Sequence, residues 1–416
     1  SDLNCLIFTC FLSNDWGSPY NDFDLLQYLS NIGFNIKINK EIDNRLCIFH
    51  AISDQELKGL SKEEIKQLNK KMKKIILSRL DNIGDVILTL PLISYIKSIY
   101  PNAEIIYIAK SYSLPVLSSC NLISRIIEWE RLEEMDEKQL VSYIASLKAD
   151  TFIHSTPKRK LARAVYRAGV PIRIGSARRI FHWLYCNKRP WIRDHRHCLT
   201  HMSDHFMALA KPLSKTTLPN AYSISVSNTL HFSAPLPEST SNLLSENRFN
   251  IILHPGSNNH APEWPTAHFL SLTSLLPADK FNILVTGTID EQERFQNTLL
   301  LKLPDHACNL MGTLNLPQFL SLISTVDGVV ASSTGPIHVS GALNKKTLGF
   351  YPPRTPNSFD WELTAHKWKP LGNQVTTLTS TPSCEDQCTT RTFSSCHCMA
   401  EITPTEASKT ILRWLN

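Results

Sequence analysis

The sequence predicts an α/β protein of two doubly wound, Rossmann-like domains facing a cleft. Two glycine turns, a βαβ unit beside the first of them, and the chain length carry that prediction. The first turn is Arg79-Leu-Asp-Asn-Ile-Gly84-Asp85-Val86 and the second is Ser332-Ser-Thr334-Gly335-Pro336-Ile-His338. Each follows a strand-like apolar run and opens a helical pattern, where doubly wound domains place their ligand-binding loops. At 416 residues the chain exceeds what one core usually holds, so two domains and smaller pieces are expected.

Taken in order, residues 1–72 form an N-terminal accessory region. Leu6-Ile7-Phe8 and Leu46-Cys47-Ile48-Phe49 have strand patterns, Asp22 to Ile32 a helical one, and Asp54 to Lys74 the spacing of an exposed amphipathic helix with a lysine-rich end. The first Rossmann-like domain, residues 73–220, starts at the buried-strand pattern Lys74-Ile-Ile-Leu-Ser78. A helix then runs through Leu88, Leu92, Tyr95 and Ile96 to the stop Tyr100-Pro101-Asn102, and a strand follows at Glu104–Ala109. Further strands are expected at Ile126–Trp129 and Thr151–His154, separated by a helix over Glu133–Leu147; such alternation implies a mostly parallel sheet. Pro219 to Leu243, rich in Ser, Pro and Asn, is placed as the interdomain linker. The second domain, residues 245–380, takes strands at Phe249–His254, Phe281–Thr286, Gly328–Ala331 and Thr347–Phe350, and helices at Ala267–Leu275, Glu291–Leu301 and Pro336–Leu343. Residues 381–416 hold a cysteine cluster and a terminal helix, Thr405–Leu415.

Composition narrows the function classes. Lys and Arg exceed Asp and Glu by 43 to 37, a mild excess that matters only where it is concentrated. It is concentrated in Lys158, Arg159, Lys160, Arg163, Arg167, Arg173, Arg178 and Arg179, a run without acidic residues that reads as a solvated helix face or as an anion-binding face. No aromatic-basic interleaving or recognised module accompanies it, so nucleic acid is not an expected partner. No apolar run reaches the ~18 residues that span a bilayer. Leu3 to Leu12 lacks a basic leader and reads as a strand rather than a signal peptide; the absence of an initiating Met reads as a processed or trimmed start. Eleven scattered cysteines point to a reducing compartment with mostly free thiols, hence a cytoplasmic location. Cys384, Cys388, Cys396 and Cys398 are close enough to hold zinc or iron, though their spacing departs from paired C-x2-C forms; reduced thiols and disulfides are the alternatives, and any metal there is structural.

Several ordered motifs resemble the bacterial heptosyltransferases, glycosyltransferase family 9. They are Arg79-x-Asp81-x-Ile83-Gly84-Asp85-Val86-x-x-Thr89-x-Pro91 with Tyr100-Pro101-x-Ala103; His254-Pro255-Gly256-Ser257 with Trp264-Pro265; Thr286-Gly287 with Glu291; and Thr334-Gly335-Pro336-x-His338 with Ala342-Leu343. The resemblance spans residues 74 to 416 and implies the GT-B fold, with acceptor on the first domain and nucleotide-sugar on the second. It implies an inverting glycosyltransferase that moves a heptose or related sugar from a nucleoside-diphosphate sugar, ADP-heptose, to a lipopolysaccharide core hydroxyl, with no cofactor required for catalysis. The alternatives are a protein acceptor and a non-catalytic nucleotide-sugar-binding paralogue. Peripheral contact with the inner membrane would suit a lipid acceptor.

A sugar hydroxyl is a weak nucleophile and needs a base within reach. The resemblance gives that role to Asp85, with Gly84 allowing close backbone approach; from spacing alone Asp85 is a helix cap. Ser257, Asn258, Asn259 and His260 follow a strand and a Pro-Gly turn and are expected to cradle the diphosphate. Thr334, Gly335 and Pro336 supply a second anion-accepting helix start, and His338 a donor to phosphate or sugar oxygens. Glu291 is expected on the ribose, the Met311 loop on the base, and Lys158, Arg159, Lys160 and Arg163 on an anionic glycolipid or protein acceptor. Two positions depart from the family pattern: Pro262 stands where many members have lysine, and Ser333 where many have aspartate.

Overall fold

The computed structural model describes residues 10–12, 35–38 and 46–51 by their backbone, and residues 74–192, 200–258, 260–353, 363–381 and 397–415 with their side chains. The chain divides into two compact units, Ser1–Lys71 and Met72–Asn416.

In the first unit, β1 (Cys10–Leu12), β2 (Asn35–Ile38) and β3 (Leu46–Ala51) form an antiparallel sheet with β3 in the centre. Cys10 pairs with Ile48 and Lys37 with Phe49. The strand expected at Leu46–Phe49 falls within β3; the strand expected at Leu6–Phe8 and the helices expected at Asp22–Ile32 and from Asp54 onward lie outside the described residues.

The second unit holds two parallel sheets. In the first lobe β4 (Lys74–Ser78), β5 (Glu104–Ala109), β6 (Arg125–Glu128), β7 (Thr151–His154) and β8 (Ile172–Gly175) take the order β6-β5-β4-β7-β8. The strand order reverses between β4 and β7, which makes their carboxyl ends the ligand crevice of such a sheet. In the second lobe β9 (Phe249–His254), β10 (Phe281–Val285), β11 (Ala307–Asn309), β12 (Gly328–Ser332), β13 (Lys346–Tyr351) and β14 (Val375–Thr379) take the order β11-β10-β9-β12-β13-β14, with the same reversal between β9 and β12. Central strands such as Phe281–Val285 are buried throughout, as expected when helices cover both faces.

The helix after the first turn comes as two pieces, α1 (Ile83–Leu88) and α2 (Leu90–Ile99), because Thr89 caps one and Pro91 opens the other. The single helix expected over Glu133–Leu147 is likewise broken. Asp136 caps α3 (Glu137–Ser146) in a reciprocal box with Gln139, and this local pairing stops the preceding turn at Glu134. Beyond it lie α4 (Arg159–Arg167), α5 (Ile180–Tyr185) and α6 (Met202–Met207). The stretch expected as a linker is not a loose tether: Ala221, Val226 and Leu230 are buried, and Leu230 bridges to Cys120 of the first lobe.

The second lobe carries α7 (Thr266–Leu275), α8 (Ile289–Phe295), α9 (Leu316–Thr325), α10 (Gly335–Ala342) and α11 (Pro404–Leu412). Helix α8 begins two residues earlier than expected, at a Thr288–Glu291 capping box, and ends six earlier, because Leu299 and Leu300 turn into the core. Helix α11 packs on α7, and the Trp264 indole, 1% exposed, donates to the Ile402 carbonyl at 2.8 Å while stacking on Phe350. One apolar core runs from β4 and α1 through α10 and β12, joining the two lobes behind the glycine turns.

Candidate active site

The loop after β4 is held by side chains. Thr156, past the end of β7, receives the Leu80 amide at 2.9 Å and donates to Asp81 at 2.7 Å, so the two strand ends at the sheet reversal are tied together. Arg79 leaves this loop, lies flat over the Phe206 ring of α6, reaches Asp81 at 3.2 Å and binds the Asp85 carboxylate. Asp85 occupies the first turn of α1, whose cap residue Asn82 makes no side-chain capping bond. Burial raises the Asp85 carboxyl above the ordinary aspartate range, Arg79 opposes that shift, and Asp81 adds to it. A carboxylate only 16% exposed and held by one arginine at a crevice mouth has an environment suited to a general base, beyond what a helix cap needs.

Across from it stands α10. Thr334 caps it with extended backbone and no side-chain bond to the helix amides, so that positive end has no capping side chain. Helices α1 and α10 touch. A Cβ on Gly335 would lie 3.6 Å from Ile83, and one on Gly84 only 2.8 Å from His338 Cδ2, so the close approach requires glycine at 84. His338 is buried, its Nδ1 has no partner, and burial together with His201 lowers its pKa to about 3. It is therefore neutral and wedged at the lobe junction. The structure brings together Gly84, Asp85, Thr334, Gly335, Pro336 and His338, from two turns far apart in sequence.

The turn after β9, expected to meet the donor, is differently occupied. The Ser257 amide donates to Glu263 at 2.8 Å and the Asn258 amide to Glu291 at 3.2 Å, so two carboxylates take the amides expected to face a diphosphate. Glu291 also receives the Thr288 amide, and its carboxylate fills the space that a Cβ on Gly256 would need, 1.9 Å from Oε1. Asn258 adopts a left-handed backbone, His260 is exposed, and Asn259 lies outside the described residues. Arg294 of α8 reaches Glu263 at 2.8 Å and places a guanidinium beside the residue that follows Pro262. The Met311 side chain is fully buried and its amide is taken by Asn309, so its side chain belongs to the core.

A profile of glycosyltransferase family 9 (heptosyltransferase) matches residues 140–396. The chain belongs to glycosyltransferase family 9. The lipopolysaccharide core heptosyltransferase OpsX of Haemophilus influenzae is 23% identical over 286 residues, covering 67% of this chain and 79% of that protein. Lipopolysaccharide heptosyltransferase 2 of Escherichia coli is 22% identical over 289 residues, covering 66% and 81%. The structure of E. coli ADP-heptose lps heptosyltransferase II superposes with a TM-score of 0.62 at 21% identity, covering 83% of this chain and 98% of that one. The two parallel-sheet lobes are thus the GT-B architecture, and the protein is a heptosyltransferase-family glycosyltransferase.

Other expected residues of this family 9 protein do not gather at the cleft. Lys160 donates to the Glu133 and Met135 carbonyls, and Arg163 and Arg167 both pair with Glu137 of α3. Lys160 and Arg163, expected on the acceptor side, thus contact α3 and the turn before it. Lys158 and Arg159 are exposed. The later part of the basic run does reach the crevice, where Arg178 and Arg179 line a cavity of about 500 Å³ with Arg79, His154 and His182. Sequence reading missed Arg79 as the partner of Asp85, although both stand in one motif, and it had no signal for the two histidines. Cys398 is buried in a short helix; Cys384, Cys388 and Cys396 lie outside the described residues. Among the described residues no group of three or more His, Cys, Asp or Glu side chains could hold a metal, and no helix is long and apolar enough to cross a membrane.

Proposed function

We propose that the protein is an inverting heptosyltransferase that uses ADP-heptose and a lipopolysaccharide core acceptor. The acceptor hydroxyl gives its proton to the Asp85 carboxylate and attacks the anomeric carbon. The bond from that carbon to the diphosphate breaks, and the electron pair leaves with ADP. The positive end of α10 faces the charge that develops there, without an obligatory divalent cation. One observation supports this reading above others: a partly buried carboxylate, held by Arg79, lies beside the junction of the two glycine-turn helices. The names of the curated relatives supply the acceptor class.

The test is transfer from ADP-heptose to a heptose-free lipopolysaccharide core, with product read by mass spectrometry in the presence and absence of EDTA. Addition of one heptose with inverted anomeric configuration, at a rate EDTA does not change, is expected. ADP-heptose binding without product on any core acceptor would overturn the reading.

A further inference from the structure

The cavity at the carboxyl ends of β4, β7 and β8 lies behind Asp85 at the reversal of the first sheet, and it is built for an anion. Three arginines line it, Arg79, Arg178 and Arg179, and among the described residues no carboxylate does. His154 and His182 also line it, 2% and 0% exposed. Neither ring nitrogen of His154 has a hydrogen-bond partner, and neither does His182 Nε2. Buried polar atoms of this kind are costly unless something fills them. The rings are fixed: His154 lies against Phe152 with centroids 4.4 Å apart, and His182 Nδ1 donates to the Ser176 carbonyl at 2.9 Å. Nδ1 therefore carries the proton, and a bound anion would meet a bare Nε2 that must pick up a second one.

We propose that this cavity takes a phosphomonoester carried by the acceptor, and that the bound phosphate draws Arg79 off Asp85, leaving the carboxylate free to act as base. The proposal rests on the glycosyltransferase reading. Guanidinium groups together with the open nitrogens of two buried imidazoles suit the three terminal oxygens of a phosphomonoester better than the two of a carboxylate. The volume exceeds one phosphate and leaves room for the sugar that bears it. Arg79 is the link because it already serves both places: its guanidinium holds Asp85 and lines the cavity. Binding is also proton-linked. His154 from β7, His182 from α5 and His205 from α6 face Arg79, Arg173, Arg178 and Arg179, and burial lowers the proton affinity of His154 and His182. A phosphate dianion that meets these imidazoles favours their protonated forms, so binding at pH 8 takes up protons.

The experiment titrates the full chain with inorganic phosphate by calorimetry, and follows the Asp85 carboxyl carbon by NMR across pH with and without phosphate. Phosphate is expected to bind with net proton uptake at pH 8, read from calorimetry in buffers of different ionisation enthalpy, to bind at least tenfold more weakly in the Arg178→Ala/Arg179→Ala variant and in His154→Phe, and to shift the Asp85 titration upward. In Arg79→Met the Asp85 titration should no longer respond to phosphate. Equal phosphate binding in the wild type and the double variant, or binding that leaves Asp85 unmoved, overturns the proposal. A second arm compares phosphorylated core acceptor with the same acceptor after phosphatase treatment. The expected loss is at least tenfold in kcat/KM, with inorganic phosphate competing against the phosphorylated acceptor and partly restoring transfer to the dephosphorylated one. Equal kcat/KM for the two acceptors overturns the acceptor assignment, and a requirement for free phosphate with the phosphorylated acceptor as well would assign the cavity to a free ion instead. Absence of any sugar transfer would sink the proposed function while the calorimetric and NMR results still decide the cavity.

Discussion

Replacing Asp85 by asparagine keeps the shape of the side chain and removes only its charge and proton affinity. A positioned general base contributes roughly 10²–10⁴ in rate, about 3–5 kcal/mol of transition-state free energy, so kcat should fall by that factor. Stability should hardly follow. Breaking a buried ion pair commonly costs about 3–5 kcal/mol because the surviving charge is stranded. Arg79 is not stranded here: it keeps Asp81 at 3.2 Å, the Ser155 carbonyl at 3.5 Å and the Phe206 ring. The expected loss is about 1 kcal/mol, a Tm change of about 2–4 °C for a domain of this size. Affinity for ADP should be unchanged, since the donor turns are on the other lobe. The pH profile supplies a second readout. Burial raises the Asp85 carboxyl, so wild-type kcat/KM should fall on the acid side through a pKa above the ordinary aspartate value of about 3.9, and that limb should be missing from the residual activity of the variant. The assay is initial-rate heptosyl transfer beside ADP calorimetry and thermal melting. A rate within tenfold of wild type, or an activity loss matched by an equal loss of ADP affinity, would remove Asp85 from the chemistry.

Three further outcomes follow from the packing. Trp264→Phe removes the bond to the Ile402 carbonyl and some volume from a core where the indole is 1% exposed. It should cost about 2 kcal/mol by urea denaturation, and an unchanged midpoint would mean that α11 is not held through this residue. Gly84→Ala should gain a little helix propensity but lose about 1–3 kcal/mol to overpacking against His338, with His338→Ala in the same chain restoring stability; a failure of the second substitution to compensate would place the strain elsewhere. His338 and His201 have their pKa values lowered by burial to about 3 and about 4. Below about 6.5 the unfolded chain takes up protons that the folded chain refuses, so stability falls as pH falls, by about 1.4 kcal/mol per pH unit for each histidine, until the folded values are reached. His338→Gln should halve the slope owed to this pair between pH 6 and pH 5, and an unaltered slope would show that His338 is already protonated in the native protein.

What the sequence revealed and what it hid divide along sequence distance. Strands β4, β5, β7, β9, β10, β12 and β13 announce themselves because a parallel strand covered on both faces is a continuous apolar run, as in Ile75–Leu77 or Ile251–Leu253. The short edge strands β11 and β14, Ala-Cys-Asn and Val-Thr-Thr-Leu-Thr, carry no such run and went unseen. The glycine turns were legible for the same local reason, and so was the position of Asp85. The groups around it were not, because Arg79, His154 and His182 become neighbours only when the sheet order brings the ends of β4, β7 and β8 together.

Charge shows the same division more sharply. Eight basic residues between Lys158 and Arg179 look alike as a string, yet the fold sorts them into two populations. Those on α4 face the start of α3 and the turn before it, where Glu137 pairs with Arg163 and Arg167 and the Glu133 and Met135 carbonyls accept from Lys160. Those past β8 stand at a strand's carboxyl end, where no acidic residue among the described ones lines the cavity they reach. Positive charge gathered beside buried imidazoles is unfavourable in the empty protein, since each cation raises the cost of protonating the others. An arrangement that is costly alone and relieved by an anion favours the liganded state by the whole of that cost. Because Arg79 both lines this cavity and pairs with Asp85, an anion bound there would act directly on the carboxylate proposed as the base.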